Sequence, residues 1–391
     1  MIKVLVLDAA QRSALAVTRS LGRMPDVQVF TAEAAGQALA GQSKFSKAFY
    51  TCPSAQHAPA DFVCWVQKLM TEEQFDLVVP VTEITSQLLL MQQAQLPQVV
   101  LPFASYEQVL RLADKGQLVD LARDLGVPVP QSRWFAHAQG LDIHALQYPL
   151  VLKPCLSKIF VNNTWLATRV RVLASAEEFA QELVISPYLQ EHAFMLQAFI
   201  PGHGAGIFAL YNRGVPLAFF AHERLREKPP EGGVSVLSVS VPVAPLLETY
   251  ARQLLDASHW HGVAMIEFRV APDGTYYLME VNTRFWGSLQ LAIDAGVDFP
   301  KLLLQAQLQQ PVAPPLSYRA GQRLRWFLGD VDSLYLYLRR GYTPLQKLKR
   351  LVQFLLPSWG RTRHEVNRWG DLRPAIFELK CYVRQLRGGG R

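Results

Sequence analysis

Residues 2–7 form a near-continuous apolar, β-branched run, broken only by Lys3. Such a run predicts a strand buried on both faces, because both sides of the pleat are apolar. Helical spacing follows over residues 13–21 and stops at Gly22. Apolar runs at 27–30, 75–81 (FDLVVPV) and 99–103 predict three further strands. Strands alternating with helical segments predict a small α/β domain with a parallel sheet. The turn after the first strand, DAAQRSA, lacks GxGxxG, so a dinucleotide role has little support.

The pattern then changes. Residues 105–125 read as one or two helices, closed by Gly126, Pro128 and Pro130. Strands are predicted at 148–154 (YPLVLKP), 165–172 and 194–200, and a helix at 175–183 capped by Ser175. Residues 207–211 and 215–222 read as a hairpin around Asn212-Arg213-Gly214, and 246–258 as a helix. No internal repeat is present.

The most informative stretch is 262–288, GVAMIEFRVAPDGTYYLMEVNTRFWGS. Asp-Gly between two β-rich runs is a strong hairpin signal. With Asp273-Gly274 as a two-residue loop, Glu267 faces Glu280 and Asn282 faces Met265. Opposed side chains have Cβ atoms roughly 4.5–5.5 Å apart. Strand alternation puts Asn282 on the face of Glu280. Two carboxylates so close repel, and a divalent cation removes the conflict. Glu267, Glu280 and the Asn282 side-chain oxygen form a hard-oxygen set suited to Mg²⁺ beside a phosphate. Arg284, two residues on, has the planar fork that suits a developing phosphoryl charge. The plainer reading is an exposed hairpin with its glutamates in water.

EFR…MEVNTR resembles the metal-binding end of the ATP-grasp superfamily. That family holds Mg²⁺ against ATP with two acidic residues and an Asn on adjacent strands, followed by an Arg. The matching positions are Glu267, Glu280, Asn282 and Arg284. The resemblance extends over roughly residues 1–310, with its motifs in the family's order. ADKGQLVDLARDLGVPVP (113–130) is similar to the helix that opens the ATP-grasp region, which implies a phosphate-binding role for Lys115. YPLVLKP is similar to the strand whose Lys binds phosphate, here Lys153. MLQAFIPG (195–202) is similar to the inter-lobe linker that clamps adenine. It implies base contacts from the backbone of Ala198, Phe199 and Ile200 and from the Gln197 side chain.

Each lysine has a bland alternative. Lys115 reads equally as a solvated helix residue. Lys153 ends the apolar run PLVL, where an unpaired ammonium is costly to bury, so a phosphate partner explains it better. One feature departs from the family. The lid segment after the strand Lys, CLSKIFVNNTW (155–165), has no glycine to bring backbone N–H groups to the phosphates. Ser157, Lys158, Asn162 and Asn163 are the available donors, and Asn tolerates left-handed turns.

Residues 222–236, HERLREKPPEGGVSV, are a second polar island. The segment resembles that of ATP-grasp carboxylate–amine ligases, in which an Arg-rich stretch precedes GGVSV. This implies that Arg224 grips the acceptor carboxylate or the transferred phosphoryl group. A basic surface loop is the alternative.

Composition adds bounds. The 391 residues are 50% hydrophobic and 18% charged, which excludes a wholly disordered chain. The net charge of +7 is unevenly spread. Residues 317–391 hold 16 Lys and Arg against 5 Asp and Glu, so the remainder is mildly acidic. That argues against a nucleic-acid partner for the whole protein. Cys52, Cys64, Cys155 and Cys381 are widely spaced, which excludes a zinc or disulfide framework and predicts reduced, mostly buried thiols. The nine histidines show no HExxH, GxSxG is absent, and His203 and His222 fall near the implied site. Trp286 and Phe285 read as core or site wall. No apolar run spans a membrane and the N-terminus has no signal peptide, so a cytoplasmic protein is expected.

Leu345, Leu348, Leu351, Val352, Leu355 and Leu356, interleaved with Lys347, Lys349 and Arg350, predict an amphipathic basic helix within 330–357. It either packs on the body or attaches peripherally to anionic lipid or an acidic protein partner. The last residues, RQLRGGGR, read as flexible.

The resemblance therefore implies an α/β ATP-grasp protein of four parts. These are a Rossmann-like pre-ATP-grasp domain (1–104), linker helices and lid (105–198), a metal-binding subdomain (199–316) and a basic helical extension (317–391). It implies ATP and Mg²⁺ (or Mn²⁺) as cofactors and small carboxylate and amine substrates. The implied reaction is amide formation through an acylphosphate. The alternatives are a nucleotide sensor or scaffold, or a carboxylase or kinase. The oligomeric state is left open, with a dimer among the options.

Overall fold

A computed structural model describes residues 1–230, 233–313, 317–356 and 362–388. The chain divides into two compact units, each discontinuous in sequence. One comprises Met1–Pro102, Leu217–Val243 and Arg284–Arg391; the other comprises Phe103–Pro216 and Ala244–Thr283.

The first unit opens with a four-stranded sheet in the order Ser46–Thr51, Val27–Glu33, Ile2–Val6, Leu77–Val79. All its pairings are parallel. Val4, Leu5 and Val6 are fully buried, as an apolar run covered on both faces requires. The strand expected at 99–103 is absent, although the Val100 carbonyl accepts a backbone bond from the Val78 N–H. The strand Ser46–Thr51 was not among those expected.

The same unit holds the strands Val215–Lys228, Val234–Val241, Arg323–Arg325 and Thr362–His364. Arg224, Arg226 and Lys228 therefore lie on a strand, with register shifts around Arg226, rather than on a loop. The turn anticipated at 229–233 includes Glu231 and Gly232, which lie outside the described residues.

Residues 317–388 contribute two of these strands as well as the helices Phe327–Arg339, Pro344–Leu355 and Arg373–Gly388, so this region is not purely helical. It is locked in by charge. Arg19, 1% exposed, donates to Asp371 (2.8 Å) and to the carbonyls of Glu365 and Val366 (2.9 Å each). Asp330, fully buried, receives Arg325 at 2.7 Å, Arg350 at 2.9 Å, and Arg226. Arg368 and Arg363 converge on Asp294. Of the carboxylates in these pairs, Asp294 alone comes from outside 317–391, so they offset little of the region's excess charge. Of the terminal RQLRGGGR, the helix runs to Gly388, and the final three residues lie outside the described residues.

In the second unit an antiparallel sheet has the order Ser132–Phe135, Phe194–Ala198, Leu150–Pro154, Arg171–Leu173. The stretch expected as one strand at 165–172 is broken into Thr164–Ala167 and Arg171–Leu173. One face of the sheet, Leu150, Leu152, Phe194 and Leu196, packs with Phe179 of the helix Ala176–Ile185. Ser175 caps that helix, its hydroxyl accepting from the Glu178 N–H. The hairpin Lys158–Val161/Thr164–Ala167 turns on Asn162 and Asn163, both left-handed (φ 49° and 55°), so the glycine-free segment still makes a tight turn.

Elsewhere in this unit His203–Asn212 pairs with Gly262–Val270, which pairs with Tyr276–Asn282. Gly202 (φ +128°) precedes them, and a Cβ there would lie 1.9 Å from the Val270 carbonyl oxygen, so only glycine allows the approach.

All four cysteines are free. Only Cys155 is buried; Cys64 is exposed and Cys52 and Cys381 are intermediate, fewer buried thiols than expected.

Candidate active site

The metal hairpin reaches the expected register by an unexpected route. Near the turn the pairs are Val270 with Tyr276, Arg269 with Tyr277 and Phe268 with Leu278. These fit a three-residue loop, Pro272-Asp273-Gly274, with Gly274 left-handed (φ +86°) and Ala271 bonded to Thr275. A bulge between Glu267 and Phe268 then absorbs Met279. Beyond it Glu267 faces Glu280 and Met265 faces Asn282. The longer loop and the bulge cancel. The bulge also re-aims the strand, as bulges beside functional sites do. Met279 turns its sulfur to the Lys153 ammonium at 3.6 Å.

The two lysines come from elements built to hold them. Lys153 occupies the face of its strand opposite Leu150 and Leu152, so alternation drives it away from the apolar core. Lys115 is the first residue of the helix Lys115–Asp124. Asp114 caps that helix by accepting from Gly116 (2.8 Å) and Gln117 (3.0 Å). The Lys115 N–H donates to the Cys155 carbonyl at 2.9 Å, tying the helix start to the end of the Lys153 strand. Lys115 is 3% exposed and Lys153 7%. The solvated reading of Lys115 therefore fails.

The Lys115 ammonium lies 4.0 Å from a Glu280 carboxylate oxygen and donates to the Ser157 hydroxyl at 3.0 Å. Asn282 donates its amide to the other Glu280 oxygen at 3.1 Å. Burial pushes the Lys153 ammonium down to about 8, with Lys115 adding to the fall and Glu280 and Glu267 opposing it. Two buried ammonium groups and two partly exposed carboxylates thus share one cluster.

Among the described residues no three His, Cys, Asp or Glu side chains converge as a metal cage. Glu267 and Glu280 supply two carboxylates and Asn282 an amide oxygen, a set that fits Mg²⁺ if phosphate oxygens complete it. The lysines beside them suit that phosphate.

The expected base-binding strand has fewer open groups. Gln197, 2% exposed, donates its amide to the Ser132 hydroxyl at 2.9 Å. The Ala198 N–H bonds to Gln131 at 2.9 Å, and Arg269 donates to the Ile200 carbonyl at 3.2 Å. Phe199 is exposed.

On the Lys153 face of the sheet there is a cavity of about 360 Å³ lined by Gly116, Gln117, Ser132, Trp134, Cys155 and Met195. Sequence reading missed Trp134. Its only signal was alternation with Phe135, whose ring stacks on Phe194 in the core.

Arg224 and Arg284 belong to the other unit, as do His222 and Ser288. Arg224 donates to Glu227 at 3.3 Å, and Arg284 to the Phe285 carbonyl at 2.9 Å. His222 is held neutral, its imidazole pushed to about 3 by burial and by Arg224, with the Ser288 hydroxyl 3.3 Å from Nδ1. Phe285 and Trp286 are core. His203 is exposed at the start of its strand in the second unit.

Residues 190–329 match a family described as "ATP-grasp in the biosynthetic pathway with Ter operon". Solved structures match over most of the chain. The L-amino acid ligase of Bacillus licheniformis superposes at TM-score 0.60, with 18% identity, over 80% of this chain and 78% of its own. The chain has the ATP-grasp fold. N5-carboxyaminoimidazole synthase of Aspergillus clavatus, in complex with ADP and 5-aminoimidazole ribonucleotide, gives TM-score 0.63 at 18% identity, covering 82% and 80%. The biotin carboxylase domain of the Hydrogenobacter thermophilus 2-oxoglutarate carboxylase, a dimer with MgADP and bicarbonate, gives TM-score 0.61 at 15%, covering 82% and 73%. No curated protein sequence matches. No described helix is long and apolar enough to cross a membrane.

Proposed function

We propose that the chain is an ATP- and Mg²⁺-dependent carboxylate–amine ligase acting through an acylphosphate. The observation that carries this reading is the cluster of buried Lys115 and Lys153 beside Glu280, with Glu267 directly opposite Glu280. It has the cations for a polyphosphate and the oxygens for its counter-ion in one place.

In this reading Lys115 and Lys153 bind ATP phosphates, and the strand at Gln197, Ala198, Phe199 and Ile200 lines the base. Glu267, Glu280 and Asn282 hold Mg²⁺, which when bound neutralises phosphate charge. Arg224 grips the acceptor carboxylate and Arg284 stabilises the transferred group. A carboxylate oxygen of the substrate attacks the γ-phosphorus and the bond to the β-phosphate oxygen breaks, releasing ADP. The amine nitrogen then attacks the acyl carbon, phosphate leaves with its electron pair, and the nitrogen loses a proton. Catalysis is mainly positioning and charge stabilisation. The proposed functional division is 1–104, 105–198, 199–316 and 317–391, and the proposed substrates are small molecules.

The test is a mass-spectrometric screen of paired carboxylates and amines with ATP and Mg²⁺, coupled to ADP release. The expected outcome is ADP formation that needs both substrates and yields their amide. ADP formed with bicarbonate or a carboxylate alone would assign a carboxylase or kinase instead. One observation favours a nucleotide sensor: Lys115 already donates to Ser157, just ahead of a hairpin that turns on asparagines rather than glycines. Calorimetric ATP binding with no ADP from any pair would decide for it.

A further inference from the structure

The helix Pro344–Leu355 is inside out. Its buried residue is Arg350, paired with Asp330, and Phe354 stacks beneath Arg325 on the same side. At about 100° per residue, Leu345, Leu348, Leu351, Val352, Leu355 and Leu356 fill one outward arc of roughly 140°, nearly opposite Arg350 and Phe354. All six are exposed, Leu345 to 75% and Leu355 to 67%. An apolar stripe aimed at water is an interaction surface. Lys347 and Lys349 border the arc on its two sides. Residues 333–356 contain Arg339, Arg340, Lys347, Lys349 and Arg350 and no acidic residue.

We infer that this face docks on an anionic phospholipid surface. The helix would lie in the plane of the interface, its leucines among the upper acyl chains and its lysines at the headgroups. Charge decides against a second copy of the chain. A two-fold contact would set Lys347 and Lys349 against the same lysines, with no carboxylate in 333–356 to offset them. Anionic headgroups supply that missing charge. Arg350 holds the orientation: its ion pair with Asp330 turns the polar side inward, so the apolar side faces out without any rearrangement.

The experiment is co-sedimentation of the full chain with vesicles of phosphatidylglycerol and phosphatidylcholine, against phosphatidylcholine alone, with the oligomeric state measured in parallel. Binding is expected to the anionic vesicles at low salt and to be lost at high salt. Leu348→Glu with Leu355→Glu should weaken it at least tenfold. Lys347→Ala with Lys349→Ala should weaken it roughly thirtyfold, at about 1 kcal/mol per lysine. The lysine pair alters no apolar packing, so it decides the matter even if the leucine pair unfolds the helix. Equal sedimentation with both vesicle types, or none with either, overturns the proposal. So does a dimer that the leucine variants dissociate while no vesicle binds, which would make the face a self-interface.

Discussion

Two buried charge clusters can be set side by side. In the first unit Asp330 is gripped by Arg226, Arg325 and Arg350, with ion-pair contacts of 2.7 Å and 2.9 Å for the last two. In the second unit Lys115 stands 4.0 Å from Glu280, and Lys153 rests on a thioether at 3.6 Å. The arginine cluster is bound directly to its shared carboxylate. The lysine cluster is held apart, with the Lys153 ammonium pushed down to about 8 by burial. A closed cluster serves the fold, whereas an open one at a desolvated place is a cost that a ligand can repay.

The largest effect should come from breaking the closed cluster. Asp330→Ala strands three arginines, and losing one side of a buried ion network costs about 3–5 kcal/mol. Urea denaturation should show a lower midpoint, and the outward helix should loosen with it. An unchanged midpoint would mean the cluster is not structural.

Glu280→Gln should do the opposite. It removes a carboxylate from the open cluster, so ADP formation should fall by at least about a hundredfold, the scale set by removing one transition-state electrostatic contact. Its unfolding free energy should fall by less than that of Asp330→Ala, because the Lys115 contact is 4.0 Å long and Glu280 is 35% exposed. Normal turnover would sink the metal assignment.

Lys153→Met tests the open cluster through pH. A lysine with folded value near 8 and ordinary value 10.5 is charged in both states below pH 8, where its burial penalty is full. Between pH 8 and 10.5 the unfolded chain binds more protons, so stability should rise with pH by a few kcal/mol at most. The Met variant should lose that rise, be no less stable at pH 7, and bind ATP more weakly. Urea midpoints at pH 7, 9 and 10 with an ATP titration read all three.

Much of the candidate site was legible, because its residues are close in sequence or carried on short periodic elements. Glu267, Glu280 and Asn282 lie on one hairpin, where period-2 alternation sets the face whatever the rest of the chain does. Even there the loop was read one residue short and the bulge was missed, and the two errors cancel. Gln197 shows the opposite case: the linker pattern was readable, but its amide is spent on Ser132, a partner 65 residues away.

The sequence by itself determined three of the four parallel strands at the N-terminus, the helix cap at Ser175, and the pairing of the two glutamates. All of these depend on local propensity, alternation and turn chemistry. Only the tertiary structure decided that Lys115 is buried, that Arg224 lies on a strand, and that the amphipathic helix at 344–355 turns its leucines outward. Each of these depends on partners far along the chain. For the helix the deciding partner is Asp330: a buried carboxylate demands cations more strongly than a surface demands leucines, because an uncompensated buried charge costs more than an exposed apolar stripe.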